Sequence, residues 1–302
     1  MLPPDYARRL RKIEVRARLV SEQLLGGRLG SIFKGRGMDF ADVREYVPGD
    51  DVRRIDWNVT ARLRKPFIKR HIEERELVVM LLVDASGSGY FGTAEAASAS
   101  AESKRELAAI IAGALAFGAV RQGDRVGLVL FTDRVERHVP QRKSRSHVTR
   151  MLHELLYCPL QSRGTSITTA LRYLNHVVTK PALVFVLSDF EDADEAAWVR
   201  EIRATNRRHE VIGLRLMDRR EWELPNVGWA LLQDSETGEV VEIDTSDPVV
   251  QAGWRESTEQ RNRELVATFK TGGVPLLSVR TDEKWPQRLQ QFLDHCARRR
   301  IA

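Results

Sequence analysis

The sequence predicts an α/β fold, a doubly wound and mostly parallel sheet, and three observations carry that prediction. From Leu77 onward, short runs of Val, Leu and Ile alternate with longer segments of helical spacing, the pattern of βα units feeding a parallel sheet. The segment Glu76-Leu-Val-Val-Met-Leu-Leu-Val-Asp84 is apolar without interruption, as expected of a strand buried on both faces. That run ends in Asp84-Ala-Ser86-Gly-Ser88, one carboxylate and two hydroxyls at alternate positions, where open sheets place their ligands.

Taken in order, Asp5–Leu25 has apolar residues at near-helical spacing on a basic segment, and Gly26-Gly27 ends it. From Gly30 to Arg75 no long period holds, and Gly and Pro punctuate short extended pieces, among them Pro66–Ile72. Strands are expected at Leu77–Val83, Arg125–Phe131, Ala182–Leu187 and Glu210–Leu216. Helices are expected at Lys104–Arg121, His147–Leu156, Ile167–Thr179 and Glu195–Asn206, with a short edge strand at Val135–Val139. Thr93–Ser103, rich in Ala, Ser and Glu, reads as a loop. Gly228–Leu232 and Val240–Ile243, joined through Glu236-Thr-Gly238-Glu, read as an inserted β-hairpin. A long polar helix at Val250–Lys270, a buried strand at Val274–Val279 and a closing helix at Trp285–Arg300 complete the chain. Two regions follow: a basic N-terminal region, 1–75, packed on the body through Ile55, Trp57, Phe67 and Ile68, and an α/β domain over 76–302.

Composition bounds the function. With 302 residues, 42% hydrophobic and 30% charged, the chain has the make-up of a soluble globular protein. Its longest apolar stretch, Leu107–Val120, is too short to span a bilayer, and no apolar segment follows the first arginines as a signal peptide would require. Cys158 and Cys296 suggest no disulfide framework, so a reduced, cytoplasmic setting is expected. Residues 1–75 carry a net charge of +7 and the remainder −1. No aromatic stacking platform accompanies those cations, so a solvated helix face is the better reading and no nucleic acid is expected.

A carboxylate with two hydroxyls on one loop suits a hard divalent cation such as Mg²⁺, which needs few protein carboxylates and keeps several waters. Two later loops lie at the same predicted sheet edge: Arg163-Gly-Thr165-Ser166, which opens a helix, and Ser188-Asp189-Phe-Glu191-Asp192, which follows a strand. Alone, such residues are usually an N-cap and a turn aspartate. On consecutive sheet elements they bring Thr165 and Asp189 to the cation. Ser166 and Thr168 are alternatives to Thr165, since all three lie within four residues.

Asp84-x-Ser86-x-Ser88, then Thr165, then Asp189, on a βα-alternating chain, resembles the metal-ion-dependent adhesion site of von Willebrand factor A domains. The upstream Gly35-Arg-Gly-Met-Asp-Phe40, Arg44-Glu-Tyr-Val-Pro-Gly-Asp-Asp51 and Ile55-Asp-Trp57 resemble a narrower bacterial family, domain of unknown function 58, which carries that A-type domain. The resemblance implies a von Willebrand factor A (Rossmann-like) sheet. It implies Mg²⁺ or Mn²⁺ held by Asp84, Ser86, Ser88, Thr165 and Asp189, with one coordination position left for a partner's carboxylate. It also implies a MoxR-type AAA+ ATPase, or its client, as partner. One departure is Gly89-Tyr90, where many members have a methionine.

Other chemistries fit less well. Gly87-Ser-Gly89-Tyr-Phe-Gly92 matches a dinucleotide fingerprint, but Asp84 would face the pyrophosphate and no helix opens directly after it. The hydrolase motifs His-Glu-x-x-His, Gly-x-Ser-x-Gly and Gly-x-x-x-x-Gly-Lys-Ser/Thr are absent, and the seven histidines read as surface or capping residues. Asp50, Asp51 and Asp56 alternate with Arg53 and Arg54 and read as ion-paired, with Trp57 a buried anchor. The expectation is a non-enzymatic, metal-dependent protein-interaction module. The alternative is a hydrolase or nuclease using the same cation, for which Glu191 or Asp192 is the local candidate base.

Overall fold

The computed structural model describes residues 4–25, 43–52, 55–69, 76–90, 103–233 and 238–299. Gly35–Phe40 and all but the last residue of Thr93–Ser103 therefore lie outside the described residues, as do Arg53, Arg54, the Arg70–Arg75 stretch and the hairpin tip at 234–237.

The N-terminal region supplies helix α1 (Pro4–Leu25), strand β1 (Val43–Glu45), helix α2 (Trp57–Leu63) and strand β2 (Phe67–Lys69), and β1 pairs antiparallel with β2. Helix α1 turns Ile13, Ala17 and Leu24 into the main core, while Val15 and Leu19 face water. The Asp56 carboxylate caps α2 by accepting from the backbone N–H groups of Asn58 and Val59. The expected partners of Asp56, Arg53 and Arg54, lie outside the described residues. Trp57, expected as a buried anchor, is 69% exposed, because α2 buries none of its residues. The apolar anchor in this region is instead Ile68, which is 6% exposed and bridges to Ile55.

The body then alternates β3 (Val78–Asp84), α3 (Lys104–Arg121), β4 (Arg125–Phe131), β5 (Val135–Arg142), α4 (Arg145–Tyr157), α5 (Ile167–Val177), β6 (Leu183–Ser188), α6 (Glu195–Arg208) and β7 (Glu210–Met217). It closes with the single-turn α7 (Arg219–Trp222), the hairpin β8 (Trp229–Gln233) and β9 (Val240–Asp244), α8 (Pro248–Gly272), β10 (Leu276–Arg280) and α9 (Trp285–Arg299). The main sheet runs β10-β7-β6-β3-β4-β5, parallel throughout except for the β4–β5 pair. This is the mostly parallel α/β sheet the sequence predicts. Strand β3 is central, which explains its unbroken apolar run. The stretch expected as a buried strand at Val274–Val279 is instead the edge strand β10 and is only half-buried, since an apolar run alone does not fix a strand's place in the sheet.

Helices cover both faces, giving two cores. One lies between the sheet and α1, α3, α4 and α9, the other beneath α5, α6 and α8. Helix α3 is buried almost all round, and its Ala and Gly residues let it fit between the sheet and α1. At Gly113 an added Cβ would lie 2.8 Å from the Ala17 Cβ and 3.0 Å from a Leu152 methyl, so the closeness of α1 depends on that glycine. Among the histidines, His147 departs from the surface reading: it is 6% exposed and bonds the Val126 carbonyl.

Asp124, just before β4, is buried and accepts a 3.0 Å hydrogen bond from the Leu77 N–H. Burial pushes its pKa up to about 6, and Glu76 repels its charge, while the Leu77 bond opposes both. The folded value lies above the unfolded one, so the native state holds the extra proton and stability falls as pH rises through the interval from about 4 to about 6. Asp124→Asn keeps the acceptor and removes the charge. Denaturant titrations across that interval should show a flatter pH slope in the variant, by up to about 3 kcal/mol. Equal slopes would show that Asp124 does not carry the dependence.

Candidate metal centre

Parallel strands deliver their carboxyl ends to one edge, and three loops meet there. Asp84 is the last residue of β3, and the Ser86 and Ser88 hydroxyls follow it 3.0 Å apart. Asp189 follows β6. The loop carrying Thr165 precedes α5 and is stitched to its neighbours by backbone bonds, Gly87 N–H to the Arg163 carbonyl (2.8 Å) and Ser166 N–H to the Thr132 carbonyl (2.9 Å). Glu136 secures the start of that loop by accepting from the N–H groups of Gln161 and Ser162. Asp192 ties the β6 loop to the same helix, accepting from the Ile167 N–H at 2.8 Å.

Of the alternatives to Thr165, the Ser166 hydroxyl is engaged and the buried Thr168 hydroxyl has no hydrogen-bond partner among the described residues. Ser166 is the N-cap of α5 and accepts from the Thr169 N–H. Thr168 is buried within the first turn of that helix.

Electrostatics sets the character of the edge. The Asp84 carboxylate accepts from the Ser86 N–H (2.9 Å) through Oδ1 and from the Ser188 hydroxyl (2.6 Å) through Oδ2. No cationic side chain among the described residues bonds it. Burial first, and the Asp189 charge second, push its pKa up to about 7 despite those hydrogen bonds. Asp189 is equally buried but goes the other way. The Lys104 ammonium, 2.9 Å from its Oδ2, overcomes the burial penalty, and the Ser88 hydroxyl and Glu191 N–H assist. Lys104 is itself buried, and its second partner is Glu221 at 2.5 Å. Burial opposes its charge, yet the two carboxylates hold its pKa above the ordinary lysine value.

Among the described residues, no three His, Cys, Asp or Glu side chains gather as a metal cluster. The donor set is two carboxylates and a group of hydroxyls. Such a set fits Mg²⁺ or Mn²⁺, hard ions content with oxygen and water, and does not fit Zn²⁺.

Ser188, Lys104 and Glu221 escape a reading of the sequence. Ser188 is legible in retrospect as a polar residue at a strand's end. The pairing of Lys104 with Asp189, 85 positions away, has no local signal.

An α/β protein with hydroxyls and two buried carboxylates at the carboxyl edge of its central strands is the class these observations define. Residues 42–264 match the family described as protein of unknown function DUF58, and the chain belongs to it. The match crosses the boundary at 75/76 suggested by composition. Uncharacterised proteins of Mycobacterium tuberculosis and Mycobacterium bovis are 34% identical to it over 301 residues, covering 99% of this chain and 92% of theirs. Among solved structures, the conserved hypothetical protein BatB of Bacteroides thetaiotaomicron shares 16% identity with a TM-score of 0.45, covering 74% of this chain and 99% of that one. An aerotolerance-related membrane protein of Bacteroides fragilis gives 16% and 0.47 with the same coverage. A von Willebrand factor type A structure from Catenulispora acidiphila gives 13% and 0.34, over 47% of this chain and 33% of that one. In this chain, no helix of the described residues is long and apolar enough to cross a membrane.

Proposed function

We propose that this chain is a metal-dependent protein-interaction module. Asp84, Ser86, Ser88, Thr165 and Asp189 would hold Mg²⁺ or Mn²⁺, and a partner's carboxylate would complete the ion's coordination. The observation that carries this reading is Asp84: a buried carboxylate beside a second one, with no cationic side chain bonded to it among the described residues. A cation is what that arrangement lacks. With few carboxylates to hold it, such an ion would keep its attraction for an incoming acid. The partner we propose, a MoxR-type AAA+ ATPase or its client, rests on the family resemblance.

The enzymatic alternative is the weaker reading on this geometry. Of the two candidate bases, Asp192 spends one oxygen on the Ile167 N–H and the other on the Asp194 N–H, and Glu191 is exposed to water.

Calorimetric titration with MgCl₂ should show one weak site in the wild type and none in Asp84→Ala. Matching isotherms would remove the site. Capture of the ATPase should be lost in chelator, and undiminished capture there would sink the metal bridge.

A further inference from the structure

Beside the metal edge lies a cavity of about 190 Å³ between the end of β7, α7, the hairpin and the first half of α8. It is smaller than the roughly 300–1,000 Å³ of small-molecule sites, a size for one side chain and not for a cofactor. Ser88 lines both this cavity and the small cleft that holds Asp84 and Asp189, so the two lie side by side.

Most charged groups on its wall are already satisfied. Glu221 pairs with Lys104, Asp218 accepts from the Arg220 N–H and the Thr281 hydroxyl, and Arg280 forms a two-pronged pair with Asp282. Arg215 is the exception. It is 6% exposed, yet its bonds go only to neutral acceptors, Nε to the Asp189 carbonyl (3.2 Å) and Nη1 to the Asn262 amide oxygen (3.0 Å). Among the described residues no carboxylate lies within ion-pair distance of it. Arg261 adds an exposed guanidinium at the rim, and the indoles of Trp222 and Trp254 form apolar walls. Glu191, Asp189 and Glu221 all attract the Arg215 charge, but Asp189 and Glu221 are paired with Lys104, and Glu191 sits exposed where water screens it.

We propose that this cavity is a second recognition pocket, taking the side-chain carboxylate of an acidic peptide segment whose neighbouring acid reaches the metal edge. A guanidinium buried without an ion pair is completed by a carboxylate, and charge-assisted bonds of that kind are the strong ones. The indoles would cover the methylenes of a glutamate. The pairing of two acids on one segment rests on the metal-bridge reading above; the anion pocket itself does not.

The test is NMR of the full chain in chelator, which silences the metal edge, following the indole N–H signals of Trp222 and Trp254. The probe is N-acetylglutamate amide, with N-acetylglutamine amide as the neutral control and inorganic phosphate as a free anion. The indole signals should move and saturate with the glutamate probe in wild type and in Asp84→Ala. They should stay still with the glutamine probe, and with the glutamate probe in Arg261→Ala and Arg215→Gln. Equal response to glutamine, or an unchanged response in the folded Arg261→Ala protein, would overturn the anion pocket. Phosphate binding more tightly than the glutamate probe would overturn the peptide assignment. Adding MgCl₂ to a peptide with two glutamates then separates the readings. Tightening lost in Asp84→Ala supports the bridge, and no tightening removes the bridge while the pocket stands.

Discussion

Replacing Lys104 with methionine should destabilise the metal-free protein by about 3–5 kcal/mol and make it more responsive to Mg²⁺ than the wild type. The side chain is 4% exposed and spans two carboxylates, at 2.9 Å from Asp189 and 2.5 Å from Glu221. Removing one member of a buried ion pair leaves the other's desolvation unrepaid, and here two acids are left facing each other. The same vacancy raises the negative potential at the strand ends, where a divalent cation would then act as the missing counter-charge. Ligands that bind only the native state add stability through mass action, so the variant should recover part of its loss in MgCl₂. Urea unfolding with and without the ion measures both effects. A variant as stable as wild type would show the triad to be energetically idle, and one blind to Mg²⁺ would detach Lys104 from the metal edge.

Asp84→Asn should do the reverse, abolishing the metal response while stabilising the metal-free fold by about 1–3 kcal/mol near neutral pH. The asparagine oxygen can accept from the Ser86 N–H as Oδ1 does now, and its NH₂ can donate to the Ser188 hydroxyl, which at present donates to Oδ2. What disappears is a charge that burial and Asp189 both oppose. Thermal melts in chelator and in MgCl₂ give the two readouts. A lower midpoint in chelator would mean that Asp84 is a structural residue, its charge needed by the fold.

The strands and long helices were legible because each has its own periodic signal. The bounds of α3 coincide with the stretch from Lys104 to Arg121 where the Ala-rich helical spacing holds, and β4 coincides with its apolar run. Elements without an internal period were not. Helix α7 is one turn long, and α2 spans seven residues of which none is buried, its indole among them. At the carboxyl edge of the sheet, the placement of the loops carrying Asp84, Thr165 and Asp189 was legible from their order after strands and before helices. Their electrostatics were not, because the decisive cation sits on a helix whose first turn gives no hint of the loop it meets.

Phe190, immediately after Asp189, adopts the left-handed backbone region with φ of 61°. That conformation costs a residue other than glycine about 1 kcal/mol, and it persists where the surroundings enforce it. Here the enforcement is aromatic: the ring is 6% exposed and packs against Trp198 and, edge-on at 4.9 Å, against Phe269. The turn that presents Asp189 is thus keyed into the lower core like a tenon in a mortise. The backbone of that turn cannot shift without unseating the ring. If the edge takes an ion as proposed, the backbone on the Asp189 side would act as a fixed anvil against which the other ligands close.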